Sequence, residues 1–536
     1  MRAVVQLSHR LRTDRFRSGV IALVLSVPLI LNAARALSVG WFPTFDVGFL
    51  QIRALDVGTG RTPLVGMPST LSDATGVTTF HPGPLQSWLS AIPMRIFSFT
   101  PSALLISQVL LNIGWVVLAG WMLARSRWAH LRAVTLAAGL LFLTSLGPEI
   151  AHDPWNPHSA VIPLAVALLA TMVVLAGQPS VGWVAVLAGS FAAQCHLSFA
   201  AAGALTVVVV MVVLAVNVAR DEPGARRSLV TASIVFVLCW IGPLLDQFAG
   251  HGNLARLLGG GGTGITLGWA EAWSRFVKVL LPWRLYFDQR ITTAELIAPV
   301  FWWESLLTVL IVIGALGLLV NRRGFGARLA LFIGVVMVAQ VALTAVMPVT
   351  MGTVFGLHLV RVWWPVVTAF WVCAIAGVTR EVMPRLSWRR TYSAFLVLAT
   401  SLTAVSSAVL YSRSDLRDGT WYRPTREVAE AIADSTPTGR YDLVISGRGF
   451  EAPLPVGVTA DLLRRGYDIR VDAMVTPGLL DDAHRASADP SDGMLTLVVQ
   501  KVGEDTAVTG GELLFADTFR VREWSDVDYE VFVYLS

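Results

Sequence analysis

The chain has 536 residues, of which 54% are hydrophobic and only 14% are charged, and its formal net charge is +5. In a water-soluble domain about a quarter of the residues are charged. This composition therefore excludes an ordinary soluble enzyme and predicts a polytopic membrane protein. The positive charge is expected in cytoplasmic loops, and no nucleic-acid partner is expected. The three cysteines lie in or beside apolar segments, without the spacing of a metal site or a disulfide framework.

Apolar runs of suitable length predict eleven membrane-spanning helices, so the predicted fold class is an all-α membrane protein. A basic segment without a cleavage site precedes the first run, which is expected to remain as an uncleaved span. The fifth run is short and is either a half-span or part of the sixth. The predicted spans are Val20–Val39, Ala103–Ala124, Ala133–Ile150, Ser159–Ala176, Val181–Ala193, Leu197–Val218, Leu229–Leu245, Ala298–Val320, Leu329–Val346, Leu359–Val378 and Tyr392–Leu410.

The distribution of Lys and Arg predicts which side of the plasma membrane each loop faces. Segments 125–132, 220–227, 321–328 and 379–390 are basic, as cytoplasmic loops usually are. The N-terminus is therefore expected in the cytoplasm. The segments expected on the opposite side are 41–101, 152–158, the neighbourhood of His196, 246–297 and 347–358.

The composition changes after Tyr411, and the remaining residues are polar. Strand-like and helix-like runs alternate there, as DLVIS, VTADLLRRG, DIRVD and LTLVVQ, and they predict a small α/β domain. With eleven spans before it, this domain is expected outside the cytoplasm. The predicted division is a transmembrane domain over residues 1–411 and an extracytoplasmic α/β domain over residues 412–536.

The outer loop 41–101 is the first candidate for a functional site, because it is much longer than an ordinary connection. Asp46 lies just after the first span, where an aspartate serves either as a helix N-cap or in binding and catalysis. Arg53 shares nearly the same helical face, so the two are expected to form a polar stripe at the membrane surface, with Asp56 on a neighbouring face. His81 begins the motif His-Pro-Gly-Pro and either contacts a phosphate or sugar or has a structural role.

A second polar cluster occurs in the segment GPEIAHDPWNPH, which leads into the next outer loop, and consists of Glu149, His152, Asp153, Asn156 and His158. These residue types suit a divalent metal, substrate hydroxyls or a solvated loop, and their spacing does not decide between the three. Prolines at positions 154 and 157 predict an interrupted helix.

Three further candidates lie at the outer ends of later spans. His196 lies between two apolar helices, where a histidine either packs or binds substrate. His358 and Arg361 begin the tenth span in the motif HLVRVWWP. The arginine is expected either to reach lipid headgroups or to hold a lipid-linked phosphate, for which a guanidinium group is well suited.

The stretches ALDVGTGRTPLVG, HPGPLQSWLSAIP, WNPHSAVIPL and HLVRVWWP together resemble one known group of proteins. The sequence is similar to the membrane glycosyltransferases of superfamily C (GT-C), which include the dolichol-phosphate-mannose and aminoarabinose transferase-like proteins, and most similar to an actinobacterial branch. The resemblance covers roughly residues 20–380. Such proteins often carry paired acids directly after the first span, whereas here Val47 follows Asp46.

The resemblance implies a GT-C fold and an enzyme that transfers a sugar from a polyprenyl-phosphate donor in the membrane to a hydroxyl of a cell-envelope acceptor, with inversion. Asp46 would be the general base, and Arg361, with Arg53 second, would stabilise the leaving phosphate. The other candidates would bind substrate; no cofactor is expected, and a divalent metal is left open. The alternatives are a transporter or flippase for lipid-linked substrates, which usually carries charges at mid-membrane, and a non-catalytic scaffold.

Overall fold

A computed structural model describes residues 2–69, 71–72, 76–125, 129–259, 264–281, 298–320, 324–349, 356–382, 401, 405–406, 408–409, 419–447, 454–471, 484, 490–504, 510–522 and 526–536. The helices of the membrane part within these ranges are α1 (Arg2–Ser38), α2 (Phe45–Asp56), α3 (Leu85–Ile96), α4 (Pro101–Arg125), α5 (Ala129–Leu146), α6 (Pro148–His152), α7 (Asn156–Ser159), α8 (Val161–Leu175), α9 (Gly182–Cys195), α10 (Leu197–Ala219), α11 (Ala225–Ala249), α12 (Asn253–Gly259), α13 (Gly268–Leu280), α14 (Trp302–Val320), α15 (Phe325–Ala345), α16 (Leu357–Val360) and α17 (Trp363–Val382). The C-terminal region adds α18 (Gly419–Ser435), β1 (Arg440–Gly447), α19 (Leu454–Arg464), β2 (Asp468–Val471), β3 (Gly493–Lys501), β4 (Glu512–Arg522) and β5 (Asp526–Leu535).

Seven helices in the described part of the chain are long and apolar enough to cross a membrane, and each coincides with a predicted span. Shorter apolar helices, Ala22–Ser38 and Pro179–Cys195, lie at the first and fifth predicted spans. Helix α5 overlaps the third, and most of the eleventh, Tyr392–Leu410, lies outside the described residues. The chain is a mostly helical, multi-pass membrane protein, and the number of eleven spans stays a prediction.

The helices differ in how much of their surface is covered by protein. In Asn156–Leu175, 94% of the apolar window is buried inside the protein, whereas the values for Ala225–Ala249 and Trp302–Val320 are 22% and 17%. A helix that is apolar all round and covered on all sides lies at the centre of a bundle. Helix α8 is therefore the centre of the membrane part, and α11 and α14 present apolar side chains to lipid.

The predicted outer segments meet at one end of the helix bundle. The amide of Leu197 donates a hydrogen bond to Nδ1 of His81 (3.2 Å), and the amide of Phe80 donates to Oδ1 of Asn253 (2.9 Å). The first outer loop thus contacts both the His196 region and the segment after α11. Two further contacts join Trp155 to His358 and Leu267 to Met347. Because these segments share one end of the bundle, they face the same side of the membrane, as the charge pattern requires.

The C-terminal region forms a five-stranded mixed sheet with the strand order β2-β1-β3-β5-β4. Strand β1 is parallel to β2 and β3, whereas β5 is antiparallel to β3 and β4. Alternate residues Tyr441, Leu443 and Ile445 of β1 are buried, as the period of a strand with one covered face requires. The predicted small α/β domain is confirmed, although β4 and β5 were not predicted from the sequence.

One hydrophobic core joins this domain to helix α2. It contains Phe49 and Ile52 of α2 together with Val458 of α19. A β-carbon at Gly457 would lie 2.4 Å from the carbonyl oxygen of Pro43, so only glycine allows α19 to approach the chain so closely at this point. Helix α2 is therefore buried beneath the C-terminal domain.

Candidate active site

The loop that connects α2 to α3 folds back on itself and delivers His81 to the end of the bundle. The amide of Gly66 donates to the carbonyl oxygen of His81 (2.9 Å) in a short antiparallel turn. A β-carbon at Gly83 would lie 2.1 Å from Oε1 of Gln194, so glycine is required where the loop packs against α9. The His-Pro-Gly-Pro motif thus fixes the His81 ring against the beginning of α10.

Asp46 lies in the first turn of α2. The N-cap residue of this helix is Thr44, so the interpretation of Asp46 as an N-cap is wrong. Phe45 has a φ of +44°, a left-handed conformation that a bulky residue rarely adopts and that turns the chain sharply into the helix. The carboxylate of Asp46 accepts a hydrogen bond of 2.7 Å from the indole Nε1–H of Trp155. Backbone strain of this kind is concentrated at functional sites.

Trp155 comes from the break between α6 and α7, at the position where the two prolines predicted an interruption. Its backbone amide donates to Oδ1 of Asp153 (3.0 Å), so one residue orients two carboxylates. Oδ2 of Asp153 lies 2.8 Å from Nδ1 of His158. Asp153 is thus held by Trp155 and His158.

Asp46 and Asp153 line one pocket, with an empty volume of about 440 Å³ that includes its opening to the surroundings. Trp41, Trp155 and Tyr422 give it aromatic walls. Tyr422 belongs to α18 and packs against Trp41 with 6.2 Å between the ring centroids, so the C-terminal domain forms one wall. Apolar walls with a few convergent polar groups are typical of small-molecule sites.

Four histidines predicted as site residues lie directly behind this pocket. The rings of His158 and His358 are 4.9 and 4.8 Å from the ring of Trp155, measured between centroids. The ring of His196 is 6.0 Å from that of His358 and 4.4 Å from that of His81. The pocket with two carboxylates and the cluster of four imidazoles therefore lie next to each other, with Trp155 in contact with both and with His158 bound directly to Asp153.

Backbone amides determine the protonation of two of these rings. The amide of Leu197 donates to Nδ1 of His81, and the amide of Ser198 donates to Nδ1 of His196, each at 3.2 Å. A ring nitrogen that accepts a hydrogen bond carries no proton, so the proton of each neutral ring is on Nε2. Burial, with a smaller contribution from the charge of His358, lowers the pKa of His81 to about 3. His81 is therefore a neutral hydrogen-bond donor at physiological pH.

Asn156 and Arg361 connect helix ends next to the histidines. Nδ2 of Asn156 donates to the carbonyl oxygen of Cys195 (3.0 Å) at the end of α9. Nη1 of Arg361 donates to the carbonyl oxygen of Leu146 (3.4 Å) at the end of α5, and its guanidinium carbon lies 5.0 Å from the ring centroid of Trp364. Arg361 is thus held against the bundle at the beginning of α17.

The other two candidates on α2 are not among the residues that line the pocket. Nη2 of Arg53 donates to the carbonyl oxygen of Val65 (3.0 Å), and its guanidinium carbon lies 5.4 Å from the ring centroid of Phe80, beneath the loop. Arg53 is only 5% exposed, so the predicted polar stripe at the membrane surface is wrong. Oδ2 of Asp56 lies 2.9 Å from Nε2 of His484, at the contact with the C-terminal domain.

Sequence reasoning missed Trp155, Tyr422 and His484. An aromatic residue between two prolines and beside an aspartate was a usable signal for Trp155. Tyr422 belongs to an amphipathic helix, and nothing in its sequence indicates that this helix reaches the loop around Asp46.

The residue types of the polar segment HDPWNPH also suit a metal site. Among the residues that the structure describes, no group of three or more histidine, cysteine, aspartate or glutamate side chains has an arrangement that could hold a metal ion. Asp153 and His158 contact each other, and Asn156 contacts backbone, so the geometry of this segment is that of a hydrogen-bonded loop.

No protein-family model and no curated protein sequence matches the chain. Among solved structures, the chain is similar to ArnT from Cupriavidus metallidurans bound to undecaprenyl phosphate, with 12% identity and a TM-score of 0.50, over 96% of this chain and 98% of ArnT. The apo form of the same protein matches with 13% identity and the same TM-score and coverage. An oligosaccharyltransferase from Archaeoglobus fulgidus in complex with zinc and sulfate gives 12% identity and a TM-score of 0.39, over 88% of this chain and 68% of that protein.

The chain therefore has the overall fold of ArnT, a fold of the kind that the resemblance of the sequence motifs implied. The match to ArnT includes almost the whole chain, whereas the motif resemblance was expected to end before the C-terminal domain.

Proposed function

We propose that this protein is a membrane glycosyltransferase that moves a sugar from a polyprenyl-phosphate donor to a hydroxyl of an extracytoplasmic acceptor in the cell envelope. The observation that carries the proposal is the pocket of two carboxylates beside an imidazole cluster, in a chain with a GT-C fold. ArnT, whose fold the chain shares, has been solved with undecaprenyl phosphate, which supports a polyprenyl phosphate as the lipid carrier here.

Asp46 is the proposed general base. The acceptor oxygen attacks the anomeric carbon of the donor sugar, and the hydroxyl proton passes to the Asp46 carboxylate. The bond between the anomeric carbon and the phosphate oxygen breaks, and its electron pair leaves with the polyprenyl phosphate. Attack opposite the leaving group inverts the anomeric centre. The hydrogen bond from Trp155 holds one carboxylate oxygen of Asp46, and Asp46 is among the residues that line the pocket.

The leaving phosphate is proposed to bind on the other side of Trp155. Neutral imidazoles that carry their proton on Nε2, as in His81 and His196, donate hydrogen bonds to a phosphate oxygen. The guanidinium group of Arg361 adds a positive charge where negative charge develops. Asn156, His158 and His358 are proposed to bind the sugar or the phosphate; Arg53 and Asp56 are structural in this scheme.

An apolar cavity supports a lipid-linked donor. It has an empty volume of about 730 Å³, which includes its opening to the surroundings, and it is lined by helices α1, α4, α5, α8 and α17. Leu143 and Pro365 contribute to its wall. Leu143 is three residues before Leu146, and Pro365 is four residues after Arg361. The guanidinium group of Arg361 donates a hydrogen bond to the carbonyl oxygen of Leu146. An arginine one helical turn from the wall of an apolar cavity suits a phosphate whose hydrocarbon tail enters the cavity.

The proposed orientation has the N-terminus in the cytoplasm and the site with the C-terminal domain outside. The four basic segments support this orientation. A polyprenyl-phosphate sugar is already activated, so transfer on that side requires no nucleotide.

The proposal is tested on membranes that contain the full chain, incubated with a panel of radiolabelled sugars on polyprenyl phosphate. Transfer of label to a second molecule in wild type, and its loss in Asp46→Asn, supports a glycosyltransferase. Movement of intact labelled lipid across the bilayer identifies a transporter instead. If no donor of the panel is either cleaved or moved across the bilayer, the result is the one expected of a scaffold, and the proposal is refuted.

A further inference from the structure

The C-terminal domain contributes one wall of the pocket around Asp46, and this wall indicates which kind of acceptor the pocket binds. In a base-catalysed transfer the base contacts the acceptor hydroxyl, so the pocket around Asp46 holds the acceptor and the imidazole side holds the donor phosphate. This reasoning rests on the proposed function. Tyr422 then belongs to the acceptor subsite, although it lies 376 positions after Asp46 in the chain (422 − 46).

The contacts of α18 fix Tyr422 in place. The neighbouring Trp421 packs on Tyr529 of the sheet, with 5.3 Å between the ring centroids. On the other side, Nη2 of Arg426 donates to the carbonyl oxygen of Gly40, in the segment that leads to Asp46. Tyr422 is only 4% exposed, so its ring is held between the sheet domain and the loop. The domain is thus part of the site and is not a separate binding module.

The chemistry of the walls excludes several acceptors. Two carboxylates in one pocket repel an anion, which disfavours an acceptor phosphate at this place. An extended peptide is usually recognised through its backbone along a strand edge, whereas the residues that line this pocket belong to loops and helix ends. An acyl chain has no hydrogen-bond donor to offer to either carboxylate.

We infer that the C-terminal domain completes the acceptor subsite through Tyr422, and that the acceptor presented to Asp46 is an uncharged sugar ring of a carbohydrate. One face of a pyranose ring consists of C–H groups and packs on aromatic side chains of the kind that line this pocket, such as Trp41 and Tyr422. Its hydroxyl groups donate hydrogen bonds to carboxylate oxygens such as those of Asp46 and Asp153.

The test is a binding measurement that requires no donor. Purified full-length protein in detergent is mixed with a panel of neutral methyl hexosides and pentosides, and saturation-transfer NMR records which ring protons contact the protein. We expect binding of at least one glycoside, with the strongest saturation on the C–H face of its ring. The Tyr422→Leu variant, which keeps an apolar side chain but removes the aromatic face, is expected to weaken binding about three- to tenfold, while Tyr422→Phe keeps it.

The matched control is Arg423→Ala, one position along the same helix. The Arg423 side chain is 74% exposed, and in the described part of the chain it forms an ion pair with Glu427 at the surface. This variant is expected to bind the glycoside as wild type does. If the affinity for the glycoside is the same in Tyr422→Leu, the inference is wrong. Binding of glucose 1-phosphate or of a threonine-containing peptide in place of the neutral glycosides also overturns it.

The same measurement separates this inference from the proposed function. Transfer of label from the lipid-linked donor in wild type, together with no binding of any neutral glycoside, refutes the carbohydrate acceptor and leaves the glycosyltransferase intact. Binding of a glycoside that depends on Tyr422, without cleavage of any donor, supports the subsite and contradicts the proposed transfer reaction.

Discussion

Replacing Asp46 with asparagine is the most direct test of the proposed mechanism. Asparagine has nearly the same size, and its amide oxygen can accept the 2.7 Å hydrogen bond that Trp155 donates to the aspartate. The substitution therefore preserves the local contact and removes the negative charge together with the capacity to take a proton. General-base catalysis contributes about 10²–10⁴ in rate, equivalent to about 3–5 kcal/mol of transition-state stabilisation, so this is the loss expected in Asp46→Asn.

The same helix offers a matched control. Asp56 is ten residues further along α2, about 15 Å along the helix axis, and its carboxylate contacts His484. Asp56→Asn removes a carboxylate from the same helix, and transfer is expected to stay within about threefold of wild type, the scale of a small change in a contact at a distance.

The assay is the rate of transfer from the labelled lipid-linked donor, corrected for the amount of folded protein by size-exclusion chromatography. If the transfer rates of Asp46→Asn and Asp56→Asn are equal and close to that of wild type, Asp46 is not the base. Asp153 would then become the first candidate, because it lines the same pocket. Trp155→Phe adds a second check, since it keeps an aromatic ring but removes the indole N–H; loss of one hydrogen bond to a charged group, about 1.5–3 kcal/mol, predicts a rate lower by about one to two orders of magnitude.

Four further predictions follow from the structure. Arg361→Ala is expected to weaken donor binding strongly, and Arg361→Lys to restore it only in part, because an ammonium group lacks the planar fork; donor titrations measure this. Cysteine introduced at the exposed positions Val502 and Glu222 is expected to react with an impermeant reagent from outside at the first position only. Gly457→Ala is expected to lower the unfolding temperature, because the new β-carbon would lie 2.4 Å from a backbone carbonyl oxygen. Acidification is expected to destabilise the protein through His81, because folding lowers the pKa of this residue from 6.5 to about 3. As the pH decreases, the unfolded chain binds the proton first. The contribution of His81 to stability is therefore complete above about pH 6.5 and falls as the pH decreases below it.

Each of these predictions has its own control. Wild-type donor affinity in Arg361→Ala would leave the arginine as a lipid-facing anchor. Labelling at position 222 from outside would reverse the proposed orientation, and the native cysteines Cys195, Cys239 and Cys373 are buried and give little background. Gly314→Ala, a helical glycine with open space around it, should unfold as wild type does. His81→Gln keeps an acceptor for the amide of Leu197 but does not titrate, so it should reduce the pH dependence; an unchanged dependence would assign it to other groups.

Local features of the sequence determined the class of the protein and much of its architecture. Hydropathy is a property of consecutive residues, so seven spans and the change to a polar C-terminal domain were predictable from the chain alone. The short period of apolar residues in DLVIS and LTLVVQ likewise predicted two strands of the final sheet. The proline spacing in HDPWNPH predicted the break from which Trp155 projects.

Only the tertiary structure decided which of the polar residues act together. The sequence suggested that Asp46 and Arg53 form one stripe, because they share a helical face, but burial beneath the C-terminal domain directs Arg53 to the Val65 carbonyl. Asp153 became the second carboxylate, and Tyr422 became a wall of the pocket, through contacts between segments far apart in the chain. Such contacts depend on how whole helices and loops pack, which no local period or spacing encodes. The chain itself thus determined the class and the candidates, and packing at one end of the bundle determined the site.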